Sequence, residues 1–158
     1  MHRGRRALLW TAFGLYCALM LWLLFLRRLG QTTPGEYAAL LHENCNLVPL
    51  WTIRSYLRLL GHSRQVLRRI AAMNLIGNIV MFLPLGVLAP LLWPRLRRLW
   101  LLLLISCGVI AAIELLQLVT LLGSCDVDDL LLNLLGVLLG WCLLQLFSRR
   151  KITPEETA

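Results

Sequence analysis

The chain has 158 residues, of which 59% are hydrophobic and only 15% charged, with a net charge of +8; an ordinary soluble domain has roughly 45–50% and about 25%. At a mean hydropathy of +0.73, a chain this short would leave far too much apolar side chain in water, because small domains keep a large share of their surface exposed. A soluble enzyme or a DNA-binding domain is therefore excluded, and the bilayer is the solvent. Once the apolar runs are set aside, no stretch is long enough for a second domain, so residues 1–158 read as a single membrane domain.

Four apolar runs follow in chain order: Ala7–Leu26, Ile70–Trp93, Leu99–Leu122 and Leu130–Phe147. Each is near the roughly 20 residues that a spanning helix needs. They are rich in Leu, and a backbone that must satisfy its own hydrogen bonds in lipid leaves helix as the realistic form. The expected fold class is all-α, an integral membrane bundle of four transmembrane helices. The first run has a basic front, Arg3, Arg5 and Arg6, but Arg27 and Arg28 follow it in place of a small-residue cleavage site. It reads as a retained anchor and not as a signal peptide.

Between the first two runs lies a long connection, Arg27–Arg69. It holds an amphipathic stretch, Ile53–Leu67, with Arg54 and Arg58 one turn apart beside Leu57, Leu59 and Leu60. Such a stretch is expected to lie in the interface plane, its Arg meeting lipid head groups. The other basic residues flank span ends on one side: Arg3, Arg5, Arg6, then Arg95, Arg97, Arg98, then Arg149, Arg150 and Lys151. The loop Gly123–Asp129 has no basic residue and three acids. The positive-inside rule makes the first side cytoplasmic, with both termini and the short polar tail 148–158 inside. The seven Arg of the long connection argue against that assignment. Topology, not nucleic acid, accounts for the basic charge, and the lipid bilayer is the partner that the composition demands.

The polar residues of the spans gather toward one end. Asn74 and Asn78 are one turn apart near the start of the second run, Glu114 and Gln117 share a face in the last third of the third, and Asn133 opens the fourth. The long connection and the acidic loop are separated by two spans and so share a side. They add Asn46, Asp126, Asp128 and Asp129. Together these nine residues form a candidate ligand-binding pocket open to one membrane face. An intramembrane carboxylate costs on the order of 2.5–3.5 kcal/mol on insertion scales, which makes Glu114 the strongest single pointer to function. The plainer alternative is interhelical glue, with Glu114 bonded to Asn78 or Gln117; such bonds are worth about 0.6 kcal/mol on average. Gly136 and Gly140 form a small-residue face for close packing. Cys45 and Cys125, in the two loops that share a side, are a candidate disulfide if that side is outside. His2, His42 and His62 lack metal-ligand spacing. A cation site from Glu114 and the three Asp is a minor alternative. No cofactor, metal or catalytic residue is expected.

These motifs resemble the VanZ-like family of small bacterial membrane proteins. The resemblance rests on Asn46-Leu-Val-Pro49, on Asn74-x-x-Gly77-Asn78 followed by Phe82-Leu-Pro84-Leu-Gly86, on Glu114-x-x-Gln117, and on Asp126-Val-Asp128-Asp129-x-x-x-Asn133-x-x-Gly136. In order, they cover the chain from about Asn46 to Gly140. Family members often carry an Arg just ahead of the acidic motif, where this chain has Gly123. The resemblance implies a bacterial cell-membrane protein acting at the envelope, with a link to teicoplanin resistance through the family's namesake and a lipid-linked or cell-wall precursor as ligand. The reading that leads is a non-enzymatic envelope protein with an outward-facing polar pocket. An intramembrane enzyme using Glu114 or Asp129 as general acid/base, a small proton-coupled exporter and a purely structural bundle are the alternatives.

Overall fold

The computed structural model describes residues 3–26 and 45–149. The fold is all-α apart from one two-residue bridge. Helix α1 is Arg3–Leu24, strand β1 Cys45–Asn46, helix α2 Trp51–Leu60, and helix α3 Gln65–Leu92. A 3-10 turn over Pro94–Arg97 leads to α4, Leu99–Val119, then β2, Cys125–Asp126, and α5, Val127–Arg149. Four of these, α1, α3, α4 and α5, are long and apolar enough to cross a membrane. The positions of Arg27, Arg28, Arg150 and Lys151, and most of the polar tail, lie outside the described residues.

The helix ends differ from the apolar runs for local reasons. Helix α3 begins at Gln65, ahead of Ile70, because Arg68 and Arg69 are good helix formers that reach water from a helical backbone. Helix α4 stops at Val119: Thr120 caps it and Leu121 takes a left-handed φ of 53°, which turns the chain away before Leu122. The amphipathic stretch over Ile53–Leu67 is not one helix. It ends at Gly61, whose N–H bonds the Arg58 carbonyl while the His62 N–H bonds that of Leu59, and Gln65–Leu67 belong to α3. What remains, α2, buries no residue and carries Arg54 and Arg58 exposed.

The α3–α5 pair is the spine of the bundle. In lipid there is little hydrophobic force between helices, so association depends on how closely backbones can approach. Here three glycines make the approach. A Cβ on Gly136 would collide with the Ile79 carbonyl, one on Gly140 with the Leu83 carbonyl, and one on Gly86 with the Val137 carbonyl. Phe82, Ala89, Leu96, Leu102, Ile110 and Val137 fill the core beside them. Pro84 and Pro90 lie within α3, which stays helical through both. Helix α1 is attached more loosely and buries only Met20. Its Tyr16 hydroxyl donates to the Met81 carbonyl at 3.1 Å. Near its start, Trp10 and Phe13 each meet Trp93 edge-on at 5.2 Å between ring centroids.

Candidate functional site

The site is built at the end of the bundle where α1 finishes and α5 starts. There β1 and β2 pair in parallel, Cys45 opposite Cys125 and Asn46 opposite Asp126. This pairing brings the long connection and the acidic loop to one end, as the span count requires.

Asp126 stands one residue ahead of α5 and its Oδ1 accepts from the Asp128 N–H at 2.8 Å, the arrangement of a helix N-cap. The same carboxylate accepts from the Thr52 hydroxyl and from Asn46 Nδ2, which ties α2 and β1 to the start of α5. Asn46 Nδ2 also reaches Thr52 Oγ1 at 2.8 Å. Asp128 is fully buried and accepts from the backbone N–H groups of Leu50 and Ile53, at the N-terminus of α2. A carboxylate there meets unsatisfied N–H groups and the positive end of the helix dipole. It offsets the left-handed backbone of Leu50, φ 63°, a conformation that costs a branched side chain roughly 1–2 kcal/mol.

Behind this layer is a small polar chamber of about 110 Å³. Asn74 and Asn78 line it from α3, Glu114 and Gln117 from α4, Asp126 from β2, and Asp129 and Asn133 from α5. Glu114, 6% exposed, accepts from the Asp126 N–H at 3.0 Å. Asn78 donates to Asp129. Gln117 donates to the Leu24 carbonyl at 3.2 Å, fastening the last turn of α1. Asn74 donates to its own helix at Ile70. The Oδ1 of Asn133 is buried with no hydrogen-bond partner among the described residues.

Of the nine residues expected to form the pocket, Asn46 and Asp128 lie outside the chamber's lining and knit the surrounding loops. Glu114 accepts from the acidic loop's backbone at Asp126. Thr52, Tyr56 and Ser124 also line the chamber and were not among those expected. Thr52 and Tyr56 stand at i,i+4 on α2, opposite the Arg54/Arg58 face, and that spacing was the available signal. Burial, reinforced by the Asp129 and Asp126 charges, raises the Tyr56 hydroxyl above its ordinary range. Among the described residues, no group of three or more His, Cys, Asp or Glu is arranged to hold a metal ion.

Cys45 and Cys125 face each other as cross-strand partners in the β1–β2 pair. Burial foremost, then Cys45 and Glu114, pushes the Cys125 thiol above the usual thiol range.

The chamber's lining holds two carboxylates beyond the capping Asp126 and no Lys or Arg. It can take hydrogen-bond donors, such as an ammonium or hydroxyl groups; a phosphate would meet like charge there. A family model described as VanZ/LLP1 matches residues 13–148. No curated protein and no solved structure matches the chain.

Proposed function

The chain belongs to the VanZ/LLP1 family, and from that premise we propose that it is a non-enzymatic protein of the bacterial envelope whose chamber binds the donor-bearing head of a lipid-linked or cell-wall precursor ligand at the outer face of the membrane. One observation carries this reading. Asn133 Oδ1 is a buried acceptor without a partner, in a chamber that also holds Glu114 and Asp129. Leaving such an atom unsatisfied costs about 1–3 kcal/mol, and a ligand donor would recover it.

The family's association with teicoplanin supplies the first experiment. Susceptibility is compared in a sensitive Gram-positive host carrying empty vector, wild type or Asp129→Asn, at equal membrane abundance. Wild type raises the inhibitory concentration and the variant does not. Resistance conferred equally by Asp129→Asn would remove the chamber from the function.

On the same reading the chamber end is extracytoplasmic, and the paired Cys45 and Cys125 close a disulfide between the long connection and the acidic loop. Residues paired across neighbouring strands are about 4.8 Å apart, within the range a disulfide spans. In protein purified without reductant, alkylation mass is expected to rise by two thiols only after reduction. In the reduced protein, Cys125 alkylation is slow at neutral pH and accelerates only above the ordinary thiol range. The sign follows from its raised pKa, since the thiolate is the attacking form. An identical mass shift with and without reduction disproves the bridge.

A further inference from the structure

A second cavity runs down the bundle from the first. It is a groove of about 910 Å³ between α1 and α4, floored by α3. This is the upper range for a small-molecule site, roughly 300–1,000 Å³. Its walls are almost wholly apolar, and it exists because α1 buries only Met20 and stands off from α4. The far end is lined by Trp93, Pro94, Arg95 and Leu96. The near end does not stop at a wall: Leu24, Phe82 and Ile113 line both the groove and the polar chamber.

The dimensions fit one hydrocarbon chain. Along α4 the lining runs from Leu101 to Ile113, about 18 Å at 1.5 Å per residue, slightly more than half of a roughly 30 Å hydrocarbon core. Its mouth is lateral, with Ile105 and Val109 on the α4 rim 46% and 49% exposed. Groove and chamber thus form a bipartite space: an apolar channel open to the bilayer, ending in a buried compartment of acceptors with one left unpartnered.

We propose that the groove receives the hydrocarbon chain of the ligand whose head the chamber holds. The ligand is a membrane lipid, taken sideways from the bilayer, with ammonium or hydroxyl donors on its head. This rests on the ligand-binding reading of the chamber and adds the chain, the route of entry and the class of molecule. Ordinary bilayer lipid would wet the groove without discrimination. A joined site selects by head and by chain together.

The test is native mass spectrometry of the full chain, stripped of lipid in maltoside micelles. The probes are dioleoyl phosphatidylethanolamine, whose terminal ammonium would enter the chamber with its phosphate left outside the carboxylates, and the phosphatidylcholine with the same chains, which has no N–H donors on its head. Val109→Trp and Ile105→Trp fill the groove from its exposed rim. Leu104→Trp adds the same bulk on an exposed face outside the groove. Asp129→Asn alters the chamber. Thermal unfolding identical to wild type qualifies each variant, and either groove variant suffices. Wild type retains one phosphatidylethanolamine, about tenfold preferred over phosphatidylcholine, the discrimination expected of one hydrogen bond to a charged group. The groove variants weaken both lipids about tenfold, Leu104→Trp weakens neither, and Asp129→Asn removes only the preference. Groove variants that bind like wild type, with Asp129→Asn still losing the preference, overturn this inference and leave the chamber reading intact. Loss in the groove variants with no preference at all leaves a chain site and overturns the chamber reading. Absence of stoichiometric lipid overturns both.

Discussion

Asp128 and Asn133 lie five positions apart on α5, both buried, and their environments assign them opposite energetics. Asp128 is fully buried and accepts two backbone N–H bonds from the start of α2. Removing it orphans both donors, and each buried donor left unsatisfied costs about 1–3 kcal/mol. Asp128→Ala is therefore expected to destabilise the protein by about 3 kcal/mol, read as a lowered unfolding midpoint in detergent. Asn133 has no bond to lose at Oδ1. Asn133→Leu, close in volume, is expected to leave that midpoint unchanged or raise it, because an apolar replacement removes an unsatisfied group. If the chamber binds a ligand, the same variant loses the envelope phenotype. A stability loss in Asn133→Leu as large as in Asp128→Ala would make the amide structural glue. The sequence could not separate these two residues. Both are polar, both sit in the α5 motif, and only the partner of each side chain distinguishes them.

Among the elements, α3 and α5 depend on glycine, while the other helices do not. A Cβ on Gly140 would meet the Leu83 carbonyl and approach the Gly86 Cα to 3.0 Å, both backbone and unable to yield. Nothing lies within 4 Å of a Cβ on Gly108. Gly140→Ala is expected to cost about 1–3 kcal/mol, the usual price of overpacking. Gly108→Ala is expected to be neutral or to stabilise by up to about 1 kcal/mol, because alanine is the better helix former. Equal melting of the two variants would show that the α3–α5 contact is looser than described. The spans and this glycine face were legible because lipid solvation imposes long apolar runs and small residues at contacts. The boundary of α2 was not. Amphipathic spacing continues from Ile53 to Leu67, but Gly61 ends the helix and redirects the chain into α3. Hydrophobic periodicity does not register such a turn.

At the scale of the whole molecule, polarity is divided between the two ends. The chamber, the β1–β2 bridge and α2 occupy one end, and Arg3, Arg5, Arg6, Arg95, Arg97 and Arg98 belong to the opposite one. The groove was invisible in the sequence for a related reason. It arises from the distance between α1 and α4, and every residue lining it reads as ordinary span. On the positive-inside rule the Arg-rich loop ends are expected on the cytoplasmic side, which would place α2 with Arg54 and Arg58 on the outer one. The rule counts charge close to span ends, and there the opposing candidates are Arg27 and Arg28 after the first span and Arg64, Arg68 and Arg69 at the start of α3. In a C-terminal fusion expressed in bacteria, green fluorescent protein is expected to fluoresce and alkaline phosphatase to be inactive. Both readouts follow from a cytoplasmic C-terminus, and four spans then put the N-terminus inside and the chamber outside. Active phosphatase with dark fluorescent protein reverses the whole bundle. The chamber would then open to the cytoplasm, Cys45 and Cys125 would stay reduced, and the donor-bearing ligand would be drawn from the inner leaflet.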